Sequence, residues 1–354
     1  MYAVATDVQL QAVVSCRFSV ASSQLSVAGF LEFEGRRLHK IHRICGDSRD
    51  NRHNFTSTLQ LTTENWQLNW QPAMTVLELL QITTAYFGKK GVEQPRLNIE
   101  HLLADTLGKK RIELYLEFDR SLSERELEPL REKVRRRAEG EPLQHLLGHW
   151  DFFGRTFKID RRALIPRSET ELLVETMLRE FATCNGSANR LVDIGTGSGV
   201  LAITLALERP GLEVFAVDLS EDALALAREN AERLGVSDRI IFRRSDLLDQ
   251  MEGPFHWVVA NLPYIPTAEL DTLQREVKFD PALALDGGKD GLTIVKRLIE
   301  SVPGKIASNG MIALELGHGQ AQRVLGFLAD QNYRDMSIRK DYQGVERLLI
   351  ARYG

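Results

Sequence analysis

Leu191-Val192-Asp193-Ile194-Gly195-Thr196-Gly197-Ser198-Gly199, followed by VLAITLALE at 200–208, is the stretch on which the fold turns. Two apolar residues lead into three alternating glycines, and the glycines lead into a run without strand breakers. Glycine lets a chain turn sharply from a strand into a helix, and it lets backbone N–H groups approach a ligand with no Cβ in the way. The same alternation continues downstream. EVFAVDL (213–219), RIIFRRSD (239–246), HWVVANLPY (256–264) and GMIALELG (310–317) read as strands, separated by helical stretches such as EDALALARENAERLG (221–235) and GLTIVKRLIESVPG (291–304). Strand–helix alternation predicts an α/β domain with a Rossmann-like, mostly parallel sheet, helices on both faces and ligands at the carboxyl ends of the strands.

Upstream, the pattern changes twice. VLELLQITTAYF (76–87), PRLNIEHLLADTLG (95–108) and SERELEPLREKVRRRAEG (123–140) carry helical periodicity with Pro95 near a start, Ser123 as a cap and Gly108 and Gly140 as stops. They predict a small helical domain over 74–145. QHLLGHWDFFGRTFKIDRRALIPRSETE (144–171) surrounds Gly148 and Gly154 with aromatic and apolar residues, as a β-hairpin does, which makes 146–168 a linker to the α/β domain at 169–354. Residues 1–73 fit neither pattern and are expected to be a poorly structured extension. Cys16, Cys45, His39, His42 and His53 lie in it, but their spacing matches no zinc pattern.

Composition narrows the function. The 354 residues hold 45 Lys+Arg against 49 Asp+Glu, a net charge of -4, so no broad basic surface for phosphate backbones is implied. The run REKVRRR (131–137) alternates charges as a solvated helix face does. No apolar run approaches the ~20 residues that span a bilayer, and the N-terminus lacks a signal-peptide pattern. Three cysteines without a CxxC pair fit a reducing compartment. The expectation is a cytoplasmic, monomeric protein without membrane, direct nucleic-acid or metal partners.

The glycine loop is G-x-G-x-G with Asp193 directly before it, whereas dinucleotide folds use G-x-G-x-x-G and offer an open helix N-terminus to pyrophosphate. An acidic residue there would repel a phosphate. It suits a cofactor with a cationic amino-acid end, such as S-adenosyl-L-methionine. Asp218 ends the next strand, where one carboxylate can accept both hydroxyls of a ribose. Asp246 ends the third strand and could accept from an adenine amino group while Leu247 packs on the ring. Taken singly, such a carboxylate often does no more than cap a helix; their order after the loop is what points to adenosine.

The fourth strand runs into Asn261-Leu262-Pro263-Tyr264. A nitrogen conjugated to a carbonyl or an aromatic ring is a poor nucleophile because its lone pair is delocalised. If the Asn261 side-chain oxygen and the Leu262 carbonyl accept its two N–H groups, the nitrogen is held in line and gains electron density. Pro263 would stiffen the turn and Tyr264 would pack on a planar substrate.

These motifs, together with EPLQHLLG (141–148), LIPRSETE (164–171) and VKFDPALALDGGKDGL (277–292), make residues 74–354 resemble the class I S-adenosylmethionine-dependent methyltransferases with a D/N-x-P-Y tetrad. Within them the chain resembles the HemK/PrmC-type release factor glutamine methyltransferases. The resemblance implies methylation of the side-chain nitrogen of the Gly-Gly-Gln glutamine in class 1 peptide chain release factors, with S-adenosyl-L-homocysteine as the second product. It places the methionine part of the cofactor against Gly195, Thr196, Gly197, Ser198 and Gly199, with Asp193 in the same motif. It also puts the ribose on Asp218, the adenine near Asp246 and Leu247, and Pro166, Arg167 and Glu169 beside the pocket. Arg167 could equally be a structural ion-pair partner. Asn261, Leu262, Pro263 and Tyr264 would hold the glutamine amide. The family's commonest tetrad is NPPY, so Leu262 is a departure at a position expected to act through its backbone.

The nearest rival is an adenine-N6 methyltransferase on DNA or RNA, which faces the same problem of a conjugated amine and reaches it by base flipping. Against it stands the acidic balance of the chain. A non-catalytic module of the same fold predicts erosion of the loop or of Asn261, and both are intact.

Overall fold

The computed structural model describes residues 70, 71, 73–183 and 189–354. Residues 1–69 of the expected extension, with Cys16, Cys45, His39, His42 and His53, lie outside them, as does Cys184.

The chain begins its described part with helices α1 (Val76–Lys89), α2 (Pro95–Leu107), α3 (Arg111–Leu114), α4 (Glu124–Ala138) and α5 (Leu143–Leu147). Their ends follow from local chemistry. Thr75 and Glu78 form a reciprocal cap on α1, with the Thr75 N–H donating to Glu78 Oε2 at 2.8 Å. Ser123 and Glu126 repeat it on α4, where the Ser123 N–H and then Arg120 hold the Glu126 carboxyl down at about 2. Leu79, Phe87, Leu102, Leu127 and Val134 meet in one buried cluster. Trp70 is only 6% exposed in it, with Arg131 over its ring, so this core reaches N-terminal of the expected 73/74 boundary. The expected 145/146 boundary falls inside α5, which runs on to Gly148.

Strands β1 (His149–Phe152) and β2 (Arg155–Lys158) form the antiparallel hairpin around a Phe153-Gly154 turn. The turn is tied to the next element, α6 (Glu169–Thr183), by the Phe153 N–H donating to Glu171 at 2.7 Å.

The remaining elements are β3 (Arg190–Ile194), α7 (Val200–Glu208), β4 (Glu213–Asp218), α8 (Glu221–Arg233), β5 (Ile240–Arg244), β6 (Phe255–Asn261), α9 (Thr293–Ser301), β7 (Ile306–Glu315), α10 (Ala321–Ala329), β8 (Tyr333–Lys340) and β9 (Glu346–Tyr353). One seven-stranded sheet has the order β5-β4-β3-β6-β7-β9-β8. The first five strands are parallel to one another, and β9 runs antiparallel to both β7 and β8. Successive β3 residues go to opposite faces: Leu191 joins Met177, Leu201 and Ile203 of the helices on one side, and Val192 joins Leu298 and Val324 on the other. Burial on both faces is why these strands read as continuous apolar runs.

The five parallel strands match the segments expected from sequence. The β8–β9 pair at the far edge has no counterpart among them: the exposed and half-buried residues of RDMSIRK in β8 show no apolar alternation, and the expected segments leave out the buried run LLIA of β9. Strand order reverses between β3 and β6, since β4 lies on one side of β3 and β6 on the other. Such a switch point opens a crevice at the carboxyl ends of the strands.

Candidate functional site

The glycine loop leaves β3 at that crevice and is stitched to β4 by the Gly195 and Thr196 N–H groups, both donating to the Val217 carbonyl at 2.9 Å. Gly199 occupies the N-cap position of α7 with φ at 83°, and a Cβ there would lie 2.8 Å from Ile203 Cδ1 and 3.1 Å from Ala227 Cβ, so glycine is what allows α7 and α8 to close up. Having no side chain, Gly199 cannot cap the helix itself. Asp193 does so from below: its Oδ2 accepts from the Ala202 N–H at 3.1 Å and from the Thr196 hydroxyl at 2.7 Å. Burial pushes its carboxyl up to about 7.

Above the loop lies a cleft of about 1230 Å³, open to solvent. Pro166, Arg167, Gly195, Thr196, Gly197, Ser198, Asp218, Asp246, Leu247, Asn261, Leu262 and Pro263 all line it. Of the other expected residues, Gly199 and one oxygen of Asp193 brace the loop. Glu169 and Tyr264 line a second cavity of about 790 Å³ instead. Asp193 lies beneath the loop and does not line the cleft; its Oδ2 serves helix α7, while its Oδ1 is buried with no partner among the described residues.

Asp218 stands at the end of β4 with its Oδ2 accepting from the Gly197 N–H and its Oδ1 from the Ser220 N–H, each at 2.9 Å. Burial raises its pKa against the pull of those donors. The carboxylate lines the cleft beside those donors, where it could accept from a ribose hydroxyl. Leu219 and Leu283, both exposed, add apolar surface beside it. Leu247 is held at φ 49° just after Asp246, whose carboxylate pairs with Arg297 of α9 at 3.0 Å. A glycine loop, a strand-end carboxylate and leucine walls are groups that could hold an adenosine cofactor.

At the other wall, Asn261 ends β6 and its Nδ2 donates to the Thr170 hydroxyl at 3.1 Å. Leu262 is 5% exposed, and a Cβ on Gly195 would sit 3.1 Å from its Cδ2, so its side chain packs directly under the loop. The Tyr264 carbonyl accepts from Gln320, while a Cβ on Gly287 would lie 2.7 Å from the Pro263 carbonyl, leaving room for the tetrad's turn. Leu164, Arg167, Asn261, Leu262 and Ala284 line both cavities. Arg167 pairs with the buried Asp280 at 3.0 Å, so it is an ion-pair partner that also faces the cleft; burial pushes Asp280 up to about 6 despite that partner. Thr170, Leu219, Arg297, Asp280 and Glu315 escaped the sequence reading. Leu219 follows the strand-end carboxylate directly and could have been found; the rest arrive from distant segments.

Comparison with known proteins bears on this site. A family model described as the PrmC N-terminal domain matches residues 78–148, and one described as the methyltransferase small domain matches 168–289. The release factor glutamine methyltransferase of Chlorobaculum tepidum is 40% identical over 281 residues, covering 77% of this chain and 95% of that one. The enzyme of the same name from Geobacter sulfurreducens is 40% identical over 282 residues, 79% of this chain and 97% of that one. A third, from Moorella thermoacetica, is 37% identical over 280 residues, with 78% and 98% covered. With the tetrad at the strand end, the glycine loop under the cleft and relatives matched almost end to end, the chain belongs to the release factor glutamine methyltransferases.

Proposed function

We propose that this protein transfers a methyl group to the side-chain amide nitrogen of a glutamine, that of the Gly-Gly-Gln motif in class 1 peptide chain release factors, acting as a monomer in the cytoplasm. The observation that carries the reading is that Asn261 and Leu262 line both cavities. One cavity has the donors and walls for S-adenosylmethionine, the other can admit a side chain, and the tetrad stands where they meet.

S-adenosylmethionine, when bound, supplies an electrophilic sulfonium methyl and leaves as S-adenosylhomocysteine. Asp218 holds the ribose hydroxyls, Leu247 and Leu219 flank the adenine, and the loop from Gly195 to Ser198 faces the amino-acid end. Asn261 Oδ1 and the Leu262 carbonyl accept the two N–H groups of the substrate amide, which fixes the nitrogen in line and raises its electron density. Tyr264 and Pro263 flank the amide plane. The N-methylated amide is strongly acidic until it loses its extra proton, and water suffices to take it.

The experiment that tests this offers labelled S-adenosylmethionine with either a release factor or adenine-containing DNA and RNA. Label in the release factor supports the reading; label in nucleic acid alone replaces it with adenine-N6 methylation.

A further inference from the structure

Glu315 is a buried carboxyl that the transfer described above does not use. It ends β7, directly beside Asn261 in the parallel register of β6 and β7, and it is 4% exposed. It lines the second cavity together with Asn261, the Thr170 hydroxyl and the Asn261 amide pull its carboxyl down, and its Oε2 is buried with no partner among the described residues. Thr170, 3% exposed near the start of α6, in turn accepts from Asn261 Nδ2 at 3.1 Å.

An asparagine amide has an acceptor end and a donor end of nearly the same shape, and its neighbours decide which way it faces. Acceptance of substrate N–H groups requires the oxygen to face the substrate; the opposite rotamer would set N–H against N–H. We propose that Glu315 and Thr170 are positioning residues that hold both Asn261 N–H groups between them and so present Asn261 Oδ1 to the glutamine amide. An ionised carboxylate is suited to this because it can only accept. A threonine hydroxyl alone is not, since it can donate to Oδ1 as readily as it accepts from Nδ2.

The arrangement carries a pH dependence. Burial pushes the Glu315 carboxyl up to about 7, helped by Glu169 of α6 and opposed by Arg347 of β9, with the Tyr264 ring nearby on the tetrad. Once protonated, Glu315 becomes a donor, can bond Asn261 Oδ1, and releases the amide to flip. Turnover therefore falls as pH drops through about 7.

This inference rests on the proposed role of Asn261, and its test keeps the two apart. Wild-type protein and the variants Glu315→Leu, Glu315→Gln, Thr170→Ser and Thr170→Val are compared in methyl transfer to a class 1 release factor on both sides of pH 7. Cofactor affinity and melting temperature are measured alongside. Glu315→Leu should lose about tenfold or more in kcat with little change in cofactor affinity, the usual consequence of losing a buried acceptor. Glu315→Gln can still turn an oxygen toward Asn261, so it should keep most of kcat and lose the acid limb of the profile. Thr170→Ser should behave as wild type and Thr170→Val as a weaker Glu315→Leu. Glu315→Gln as inactive as Glu315→Leu would overturn positioning in favour of proton transfer by the carboxylate; an unchanged acid limb in Glu315→Gln would show that another group titrates and overturn the pH dependence assigned to Glu315. Wild type that leaves the release factor unmethylated contradicts the proposed function, whatever the variants do.

Discussion

The half of the cleft around the glycine loop uses residues 193–247 in chain order, at the ends of three adjacent strands β3, β4 and β5. The region around the tetrad, where the second cavity opens, gathers Thr170 from α6, Asn261 from β6, Leu273 and Val277 from the connection after it, Glu315 from β7 and Arg347 from β9. In the first, most of the bracing runs between backbone N–H groups and a neighbouring strand end, as with Gly197 on Asp218 and Ala202 on Asp193. In the second it runs between side chains brought together only by the finished sheet, such as Asn261 on Thr170 and Arg167 on Asp280. If these regions have the roles proposed, the contrast teaches that a cofactor-binding wall can be written locally, whereas a site that orients an acceptor needs long-range packing.

Three substitutions can break or sharpen this contrast. The largest effect is expected at Asn261. Asn261→Ala should lower kcat by about a hundredfold to a thousandfold, the range for removing one preorganised transition-state partner, while equilibrium binding of the cofactor stays near wild type. A parallel loss of cofactor affinity in a calorimetric titration would mean that the two halves are not separable.

Asp218→Ala should do the reverse. Losing a charged acceptor for the ribose weakens cofactor binding by about ten- to a hundredfold, with kcat at saturation changing less. Fluorescence or calorimetric titration beside steady-state kinetics would expose the opposite pattern.

The smallest effect is a pH dependence of stability at Asp280, which tethers Arg167 to the cleft. Its folded pKa of about 6 lies above the ordinary 3.8, so the folded state holds the proton more tightly. The stabilisation this gives is complete below 3.8 and is lost as pH rises through about 6. Asp280→Asn cannot titrate, so the melting temperature of wild type should fall relative to that of the variant between those pH values. Parallel melting curves over that range would show that the carboxyl does not titrate there.

How much was legible follows the same division. DIGTGSG, Asp218 and the strand runs could be read because each is a short pattern whose physics is local: a turn, a strand-end carboxylate, apolar residues buried on both faces. Asp193 was read as part of the binding loop; that its Oδ2 also accepts from the Ala202 N–H and the Thr196 hydroxyl, a capping demand created by glycine at the start of α7, no motif announced. Leu262 was expected to act through its carbonyl, and its side chain adds packing under Gly195 that no motif announces. Glu315 lies 54 residues after Asn261 in the chain, and only the β6–β7 register makes them neighbours. β8 was invisible because an exposed edge strand need not alternate. Trp70 belongs to the helical core although the residues around it carry no period.

The most direct test of the central claim is peptide-resolved mass spectrometry of a class 1 release factor after incubation with this protein and S-adenosylmethionine. The account predicts a gain of one methyl group on the Gly-Gly-Gln glutamine, absent with Asn261→Ala. An unmodified glutamine in the presence of enzyme shown to bind the cofactor would contradict it.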